Sequence, residues 1–275
     1  MEIKQLTGGL GAEIIGADIR NAAQFAAIHE AFAEHSVIVI RAQSITPDEH
    51  LAFAERFGAI NVNRFFKPVE SHPRIAMVFK DRDQTKVIGE QWHTDHSYDD
   101  IPAMCSILHA IEVPQTGGDT VFASMGMAYE HLSPVMQEFV GGLRAWHSSR
   151  HAFGVAVAEA ETAKDGRIGN AAAATQDALH PVVIRHPLSG RAGLYVNPDF
   201  TTRIEGLSEE ESDAILQMLF RHCERPEFHC RIRWQAGDVT MWDNRATWHK
   251  AINDYPGQRR LMHRVTVEGC ALDAA

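Results

Sequence analysis

The distribution of apolar residues predicts a chain built mainly from short β-strands, with helices placed between them. Continuous β-branched runs and alternating apolar runs, bounded by Gly, Pro, Asn or Asp, are typical of strands. Strands are expected within residues 1–20 and at 36–41, 75–79, 103–111, 119–122, 142–148, 181–185, 193–197, 231–234, 239–242 and 261–267. The pattern therefore favours a mainly β fold with flanking helices.

Helical spacing, in which apolar residues recur every three or four positions, predicts the helices. They are expected at residues 21–35, 46–57, 124–132, 133–141 and 208–222. Thr46 and Glu49 can form a capping box around Pro47, and Ser208 with Glu211 repeats the arrangement. These signals locate the first residues of two helices.

Three segments lack regular patterning. Residues 61–74 are irregular, and the charged residues 80–90 predict a surface loop. Residues 149–180 are rich in Ala, and a long segment of this kind between strands predicts a lid-like insertion. Since the sequence shows no internal repeat and no linker, residues 1–275 are expected to form one domain. The closest architecture is a double-stranded β-helix, or jelly roll.

Composition and charge narrow the classes of partner. A formal net charge of −10 and a pI near 5.9 disfavour nucleic acid and anionic membrane surfaces as partners. The four cysteines have no C-x-x-C spacing and predict reduced thiols. No apolar window is long enough for a signal peptide or a membrane span. We therefore expect a cytoplasmic protein that acts on a small molecule. We also expect a homo-oligomer, a dimer or a tetramer.

The candidate chemistry begins at Gln91-Trp92-His93-Thr94-Asp95. Side chains alternate along a strand, so His93 and Asp95 would point to the same side, whereas on a helix they would diverge by roughly 200°. Together with a distant second histidine they would form the facial triad of non-haem Fe(II) oxygenases. A chain with 16 His contains roughly one His-x-Asp by chance, so the motif needs support from elsewhere.

That support comes from the C-terminal part of the chain. His249 ends the stretch 237–249, and only a closed fold can bring it to Asp95. Arg260 and Arg264 follow, and because they are four positions apart they share one face of a strand. A guanidinium can bind a carboxylate through two parallel hydrogen bonds. An arginine beside an open iron site therefore suits a dicarboxylate co-substrate.

These segments resemble the taurine/2,4-dichlorophenoxyacetate dioxygenase family, whose members depend on Fe(II) and 2-oxoglutarate. The matching motifs are Trp92-His93-Thr94-Asp95, Gly117-Gly118-Asp119-Thr120, Trp242-Asp243-Asn244-Arg245 with His249, and Arg259-Arg260-Leu261-Met262-His263-Arg264. The resemblance extends over nearly the whole chain. It implies that 2-oxoglutarate is converted to succinate and CO2 while O2 supplies a hydroxyl group to an organic substrate.

The resemblance also assigns roles to single residues. The residues implied to bind iron and carry catalysis are His93, Asp95 and His249. Thr120 and Arg260 match the residues that hold the distal carboxylate of 2-oxoglutarate, and Trp242 is expected at the same cofactor site. Asp95 favours hydroxylation, because related halogenases carry a small residue at that position and bind chloride there.

The chain departs from taurine dioxygenases at residues expected around the substrate. The residues expected to contact the substrate are Arg264, Asn63, Phe66, Phe153 and Phe200. Arg264 matches the arginine that meets the sulfonate of taurine. Asn63 and Phe66 replace a His and a Tyr, and Gly89 replaces an Asn. Because the pocket loses polar groups, we expect a larger or more apolar anion than taurine: a sulfonate, a sulfate ester, or an aryloxy or alkyl carboxylate.

Two other functions use the same residue types. Two His and a carboxylate also suit a catalytic zinc ion, which would make the chain a zinc-dependent hydrolase on a jelly-roll fold. A jelly-roll binding protein without enzymatic activity is the third alternative. Arg260 together with Thr120 argues against a hydrolase, since hydrolysis does not require a clamp for a dicarboxylate.

Overall fold

The computed structural model describes residues 1–155 and 165–275, and within these residues the fold is mainly β. The strands are β1 (Glu2–Gln5), β2 (Ala12–Ile15), β3 (Val37–Ile40), β4 (Ile60–Asn61), β5 (Pro68–Val69), β6 (His72–Lys80), β7 (Cys105–Glu112), β8 (Thr120–Ser124), β9 (Arg144–Ser148), β10 (Asp177–Pro181), β11 (Val183–Arg185), β12 (Ala192–Leu194), β13 (Thr201–Ile204), β14 (His229–Ile232), β15 (Val239–Asp243), β16 (Thr247–Ala251) and β17 (Arg260–Val267). They form several sheets, as the sequence predicted.

Each helix predicted from the apolar spacing is present, and the described residues add one short α-helix, Arg150–Phe153, that was not predicted. They are α1 (Phe25–His35), α2 (Pro47–Glu55), α3 (Met125–Glu130), α4 (Pro134–Gly141), α5 (Arg150–Phe153) and α6 (Glu209–Cys223). Both predicted capping boxes are confirmed, at Thr46 with Glu49 and at Ser208 with Glu211. Within the part of the chain described here, no helix is both long and apolar enough to cross a membrane.

Two sheets face each other and enclose the region that matters for function. The larger has the strand order β1-β2-β3-β15-β7-β17-β6-β5, with β4 paired to β17, and the smaller has the order β14-β8-β16. One apolar cluster joins their facing sides. It includes Leu108, Trp242 and Met262 from the large sheet, and Phe122 and Ile232 from the small sheet.

Helices cover the outer faces of both sheets. Ile28 and Phe32 of α1 and Leu51 of α2 pack in a cluster with Val239 and Val265 on the outer side of the large sheet. A separate cluster joins Ala123 and Trp248 of the small sheet to Leu216 of α6. Because side chains alternate along a strand, the residues between these outward positions point into the space between the sheets.

The structure corrects three predictions. Residues 91–95 do not form a strand: His93 makes an isolated bridge with His249, and the chain turns from Asp95 onward, where His96 has a φ of 62°. The strand expected at 75–79 begins three residues earlier, at His72. Tyr195–Asn197 lie outside β12, which ends at Leu194, and Oδ1 of Asn197 accepts a hydrogen bond from the amide of Phe200.

The insertion expected at 149–180 is partly regular. It contains α5, a short 3-10 helix at Ala171–Ala173 and the start of β10. Ile168 forms an isolated bridge with Phe66, so this segment packs beside the irregular loop at 61–74. Residues 156–164 of the predicted insertion lie outside the described residues.

Candidate active site

The two predicted histidine ligands are joined through their own backbone. The amide of His93 donates to the carbonyl of His249 at 3.1 Å, and the amide of His249 donates to the carbonyl of His93 at 2.8 Å. On β16, Trp248 packs outward, so His249 points between the sheets. The pairing holds the two imidazole rings on the same side, with their centroids 4.1 Å apart.

The residue between His93 and Asp95 ties this segment to the turn before His249. The hydroxyl of Thr94 lies 2.6 Å from the carbonyl oxygen of Asn244 and 2.8 Å from that of Thr247. Thr94 is buried, so these bonds are shielded from water. The short β-bridge and this hydroxyl together replace the continuous strand that the sequence predicted.

Asp95 completes a group of three possible metal ligands. Its carboxylate oxygens lie 3.8 Å from Nε2 of His93 and 4.0 Å from Nε2 of His249. One ligand atom from each residue lies within 4.8 Å of the others, and all three side chains are buried. Two imidazole nitrogens and one carboxylate that converge from one side fit Fe(II) and leave the opposite side open.

Neighbouring groups orient these ligands. Nδ1 of His93 lies 2.9 Å from the carbonyl oxygen of Gln91, which can only accept, so Nδ1 carries the proton and Nε2 is free to bind a metal. The hydroxyl of Ser106 donates to Oδ2 of Asp95 at 2.7 Å. Ser106, which reaches the site from the inner face of β7, could not be recognised from the sequence.

The charge states of the ligands suit a cation. Burial alone would raise the pKa of Asp95, but the Arg264 guanidinium and the two imidazoles outweigh burial and hold that pKa below its usual value. Burial and the nearby His93 lower the pKa of His249 well below its usual value. An ionised carboxylate and a neutral imidazole are the forms that bind a metal.

A first cavity runs from the two histidines, past Trp242, to Thr120 and Arg260. Arg260 is 5% exposed, and within the described residues no carboxylate lies within 4.0 Å of its guanidinium. Burial lowers the pKa of Arg260. A buried cation without a partner is costly, so this end of the cavity is suited to an anion.

An aromatic side chain supports this end of the first cavity. The guanidinium carbon of Arg260 lies 5.4 Å from the centre of the Trp234 ring, and the indole of Trp234 donates to the hydroxyl of Thr120 at 3.0 Å. The three residues therefore form one connected unit, in which Trp234 positions both polar groups. Trp234 was not singled out by the sequence.

A second cavity contains the predicted substrate residues. It is lined by Asn63, Phe66, Phe153, Phe200 and Arg264, among others. The two cavities share Phe66, Ile88, Gly89, His93 and Arg264 as lining residues. The cavities are therefore adjacent, and both open toward the metal-ligand side chains.

Gly89 lines both cavities, and its lack of a side chain leaves room beside His93. Its φ is 77°, and a Cβ built there would lie 3.0 Å from Cε1 of His93. A side chain would therefore push against a metal ligand. The prediction of a surface loop at 80–90 is wrong at this end, because Val87 is buried and Ile88 lines both cavities. The apolar pair Val87-Ile88 was the available signal.

The structure changes the expected polarity of the second cavity. Oδ1 of Asn63 accepts hydrogen bonds from the amides of Phe65 and Phe66 at 2.9 Å, so this atom shapes the loop. The sequence predicted that the pocket loses polar groups relative to taurine dioxygenases. Asp199, whose side chain carries a carboxylate, also lines the cavity and was not part of that prediction.

Comparisons with known proteins agree on one family. The family model described as "Taurine catabolism dioxygenase TauD, TfdA family" matches residues 2–266. The chain is 35% identical over 282 residues to an alkylsulfatase from Acinetobacter baylyi, which covers 98% of this chain and 85% of that protein. It is 34% identical over 280 residues to an alpha-ketoglutarate-dependent sulfate ester dioxygenase from Pseudomonas putida, which covers 98% and 90%.

A solved structure gives the same result. A taurine dioxygenase from Burkholderia xenovorans superposes with a TM-score of 0.83 at 31% sequence identity. The match covers 99% of this chain and 91% of that chain. Sequence and fold are thus similar over almost the full length, which includes both cavities.

Proposed function

We propose, from the premise that the chain belongs to the TauD/TfdA family of dioxygenases, that it hydroxylates an organic sulfate ester or sulfonate larger than taurine. As a member it is an oxidoreductase that depends on Fe(II), 2-oxoglutarate and O2. The observation that carries the substrate proposal is the position of Arg264. This cation lines the second cavity beside aromatic side chains and next to the metal-ligand group.

His93, Asp95 and His249 would hold the iron. When bound, Fe(II) activates O2 and couples the decarboxylation of 2-oxoglutarate to the hydroxylation of a C–H bond. The protein keeps the three ligands on one side through the His93–His249 backbone pair and the Thr94 hydroxyl. Both cavities border these ligand side chains, so the co-substrate and the substrate would approach the iron from the cavities.

Arg260 and Thr120 would bind the distal carboxylate of 2-oxoglutarate, at the closed end of the first cavity. Trp242 forms part of the wall between this end and the metal ligands, with its ring 4.6 Å from that of His249. A buried guanidinium with no carboxylate partner among the described residues, in the same cavity as two of the metal ligands, suits the distal carboxylate of a dicarboxylate. Because hydrolysis at a zinc ion does not require a binding site for a dicarboxylate, Arg260 favours a dioxygenase over a zinc hydrolase.

Arg264 would bind the anionic head of the substrate, and an aromatic cluster would surround its tail. Phe153 lies between Phe65 and Phe200, at centroid distances of 4.4 and 5.8 Å, and Tyr98 lies 4.9 Å from Phe200. Each buried methylene of a tail in this cluster contributes about 0.8 kcal/mol. A two-carbon substrate would leave most of that contribution unused.

The facing sheets support a jelly-roll core, and we extend the proposal to the chain as a whole. Residues 1–275 would form a single dioxygenase domain, with the segment at 149–180 as a lid, since Phe153 and Ile168 line the substrate cavity. The four free cysteines suit a reducing, cytoplasmic compartment. Val135 and Phe139 of α4 are 78% and 45% exposed and suit a contact between copies of the chain.

A panel of anions tests the proposed substrate class. We would supply alkyl and aryl sulfates, alkyl sulfonates, aryloxy carboxylates and taurine, and measure substrate-dependent release of succinate. The longer sulfates or sulfonates are expected to give the highest kcat/KM. Taurine as a better substrate than every longer anion would contradict the proposal.

A further inference from the structure

Asp199 is a carboxylate in the substrate cavity that has no partner among the described residues. Its side chain is half-buried and lines the same cavity as Arg264 and Phe200. Across residues 1–155 and 165–275, no side chain or backbone amide forms a hydrogen bond or an ion pair with this carboxylate. Neither the family motifs nor the metal-ligand group uses this residue.

The other carboxylates near the cavity have partners. Asp95 accepts from Ser106 at 2.7 Å and lies 3.3 Å from Arg264. Asp99, which packs behind His96, is 2.9 Å from the guanidinium of Arg64. Asp199 thus differs from these neighbours in having no partner among the described residues, and a cationic group on a ligand would pair with it.

The backbone around Asp199 is held firmly. Oδ1 of Asn197 accepts from the amide of Phe200 at 2.9 Å, and the amide of Asn197 donates to the hydroxyl of Thr201 at 2.8 Å. The side-chain amide of Asn197 also donates to Ser97 at 3.0 Å, which ties the turn to the segment after Asp95. Asp199 is therefore presented at a fixed place beside the aromatic cluster.

We propose that the substrate carries a protonated amine at the end opposite its anionic head, and that Asp199 binds this amine. The inference rests on the proposed function, since it takes Arg264 as the site of the sulfate or sulfonate. Arg264 and Asp199 bring charges of opposite sign to one cavity, which Phe66, Phe153 and Phe200 also line. The substrate class is an aminoalkyl or aminoaryl sulfate ester or sulfonate.

Desolvation makes Asp199 a determinant of specificity. A substrate with a wholly apolar tail would cover the carboxylate and remove its water without replacing the lost hydrogen bonds, which is unfavourable. An amine at the end of the tail would replace that water with a charge-assisted hydrogen bond. Taurine has both charges, but its two-carbon spacing leaves the aromatic cluster unfilled.

The test compares matched pairs of substrates. Butyl, hexyl and octyl sulfate would each be compared with the alkyl sulfate of the same length that ends in an amine. The readout is the ratio of kcat/KM within each pair, from succinate release. For the length that spans the cavity, the wild-type enzyme is expected to prefer the amine by about tenfold or more.

Substitutions assign the preference to one residue. Asp199→Asn keeps the shape and removes the charge, and it should reduce the ratio to about one, whereas Asp199→Glu should retain part of it. Asp213→Asn, an exposed aspartate on α6, is the matched control and should leave the ratio unchanged. Circular dichroism would verify that each variant is folded.

Three outcomes would overturn the inference. The wild-type enzyme could prefer the methyl-terminated sulfate at every length, or the ratio could survive in Asp199→Asn. In both cases the enzyme still turns over sulfates. These results would contradict the role of Asp199 but not the proposed function. If no sulfate or sulfonate of either series triggers succinate release, the proposed function falls as well.

Discussion

Nη1 of Arg264 lies 3.3 Å from Oδ1 of Asp95, and the carbon of the same guanidinium lies 4.3 Å from the centre of the Phe66 ring. One side chain therefore touches a proposed metal ligand and lines the two cavities at once. The proposed head-group site is thus placed next to the proposed metal site, which brings the substrate carbon near the iron.

Removal of this guanidinium should weaken substrate binding. Arg264→Ala leaves the anionic head without a partner, at a cost of about 3 kcal/mol, or a roughly hundredfold rise in KM. Arg264→Lys should recover part of the loss, because it keeps the charge but not the planar fork. Kinetics with the best anion of the panel measure both effects. An unchanged KM in Arg264→Ala would place the head group elsewhere.

Substitutions at the other end of the first cavity should act on 2-oxoglutarate. Arg260→Ala removes the positively charged partner proposed for a buried carboxylate and should cost about 3–5 kcal/mol of binding free energy. Thr120→Val removes one hydrogen bond to a charged group and should cost less, about 1.5–3 kcal/mol. Anaerobic titration of 2-oxoglutarate measures both. Equal effects, or no effect for Arg260→Ala, would contradict the assignment.

A histidine remote from the site should make stability depend on pH. His50 is 1% exposed, and burial, with a smaller effect of His109, lowers its pKa from the usual 6.5 to about 3. The unfolded chain binds a proton at His50 below about pH 6.5, whereas the folded protein does not. Stability is therefore lost as the pH falls from about 6.5 toward 3, by up to about 1.4 kcal/mol per pH unit.

The variant His50→Leu should remove this dependence. Between about pH 7.5 and 5.5, the free energy of unfolding of the wild type should fall by roughly 1 kcal/mol more than that of the variant. Urea unfolding at both pH values measures the difference. The exposed His131→Gln serves as a control and should lose as much stability as the wild type. Parallel losses in wild type and His50→Leu would contradict the prediction.

Apolar spacing predicted most strands and helices, and strand alternation predicted which residues of β16 and β17 face the space between the sheets. Arg260 and Arg264 point between the sheets because residues four apart on β17 share a face. His249 faces inward for the same reason, with Trp248 on the opposite side. Two capping boxes located the starts of α2 and α6, since a cap depends only on nearby residues.

What the sequence could not predict depends on contacts between distant segments. The hydroxyl of Thr94 bonds to carbonyls about 150 positions away, and no local pattern indicates that pairing. Asp199 follows a proline in a turn, where a polar residue usually faces water. Asp199 lines a cavity only because the folded chain brings distant segments around it. Val87 and Ile88 lie in a segment whose many charged residues predicted a surface loop. Two apolar residues were too few to change that prediction.

The central claim is that His93, Asp95 and His249 bind Fe(II) together with 2-oxoglutarate. Anaerobic addition of Fe(II) and then 2-oxoglutarate to the metal-free protein tests it most directly, by visible absorption. We predict a weak charge-transfer band that requires both additions and is lost in folded Asp95→Ala. Absence of the band in the wild-type protein, or its persistence in that variant, would contradict the claim.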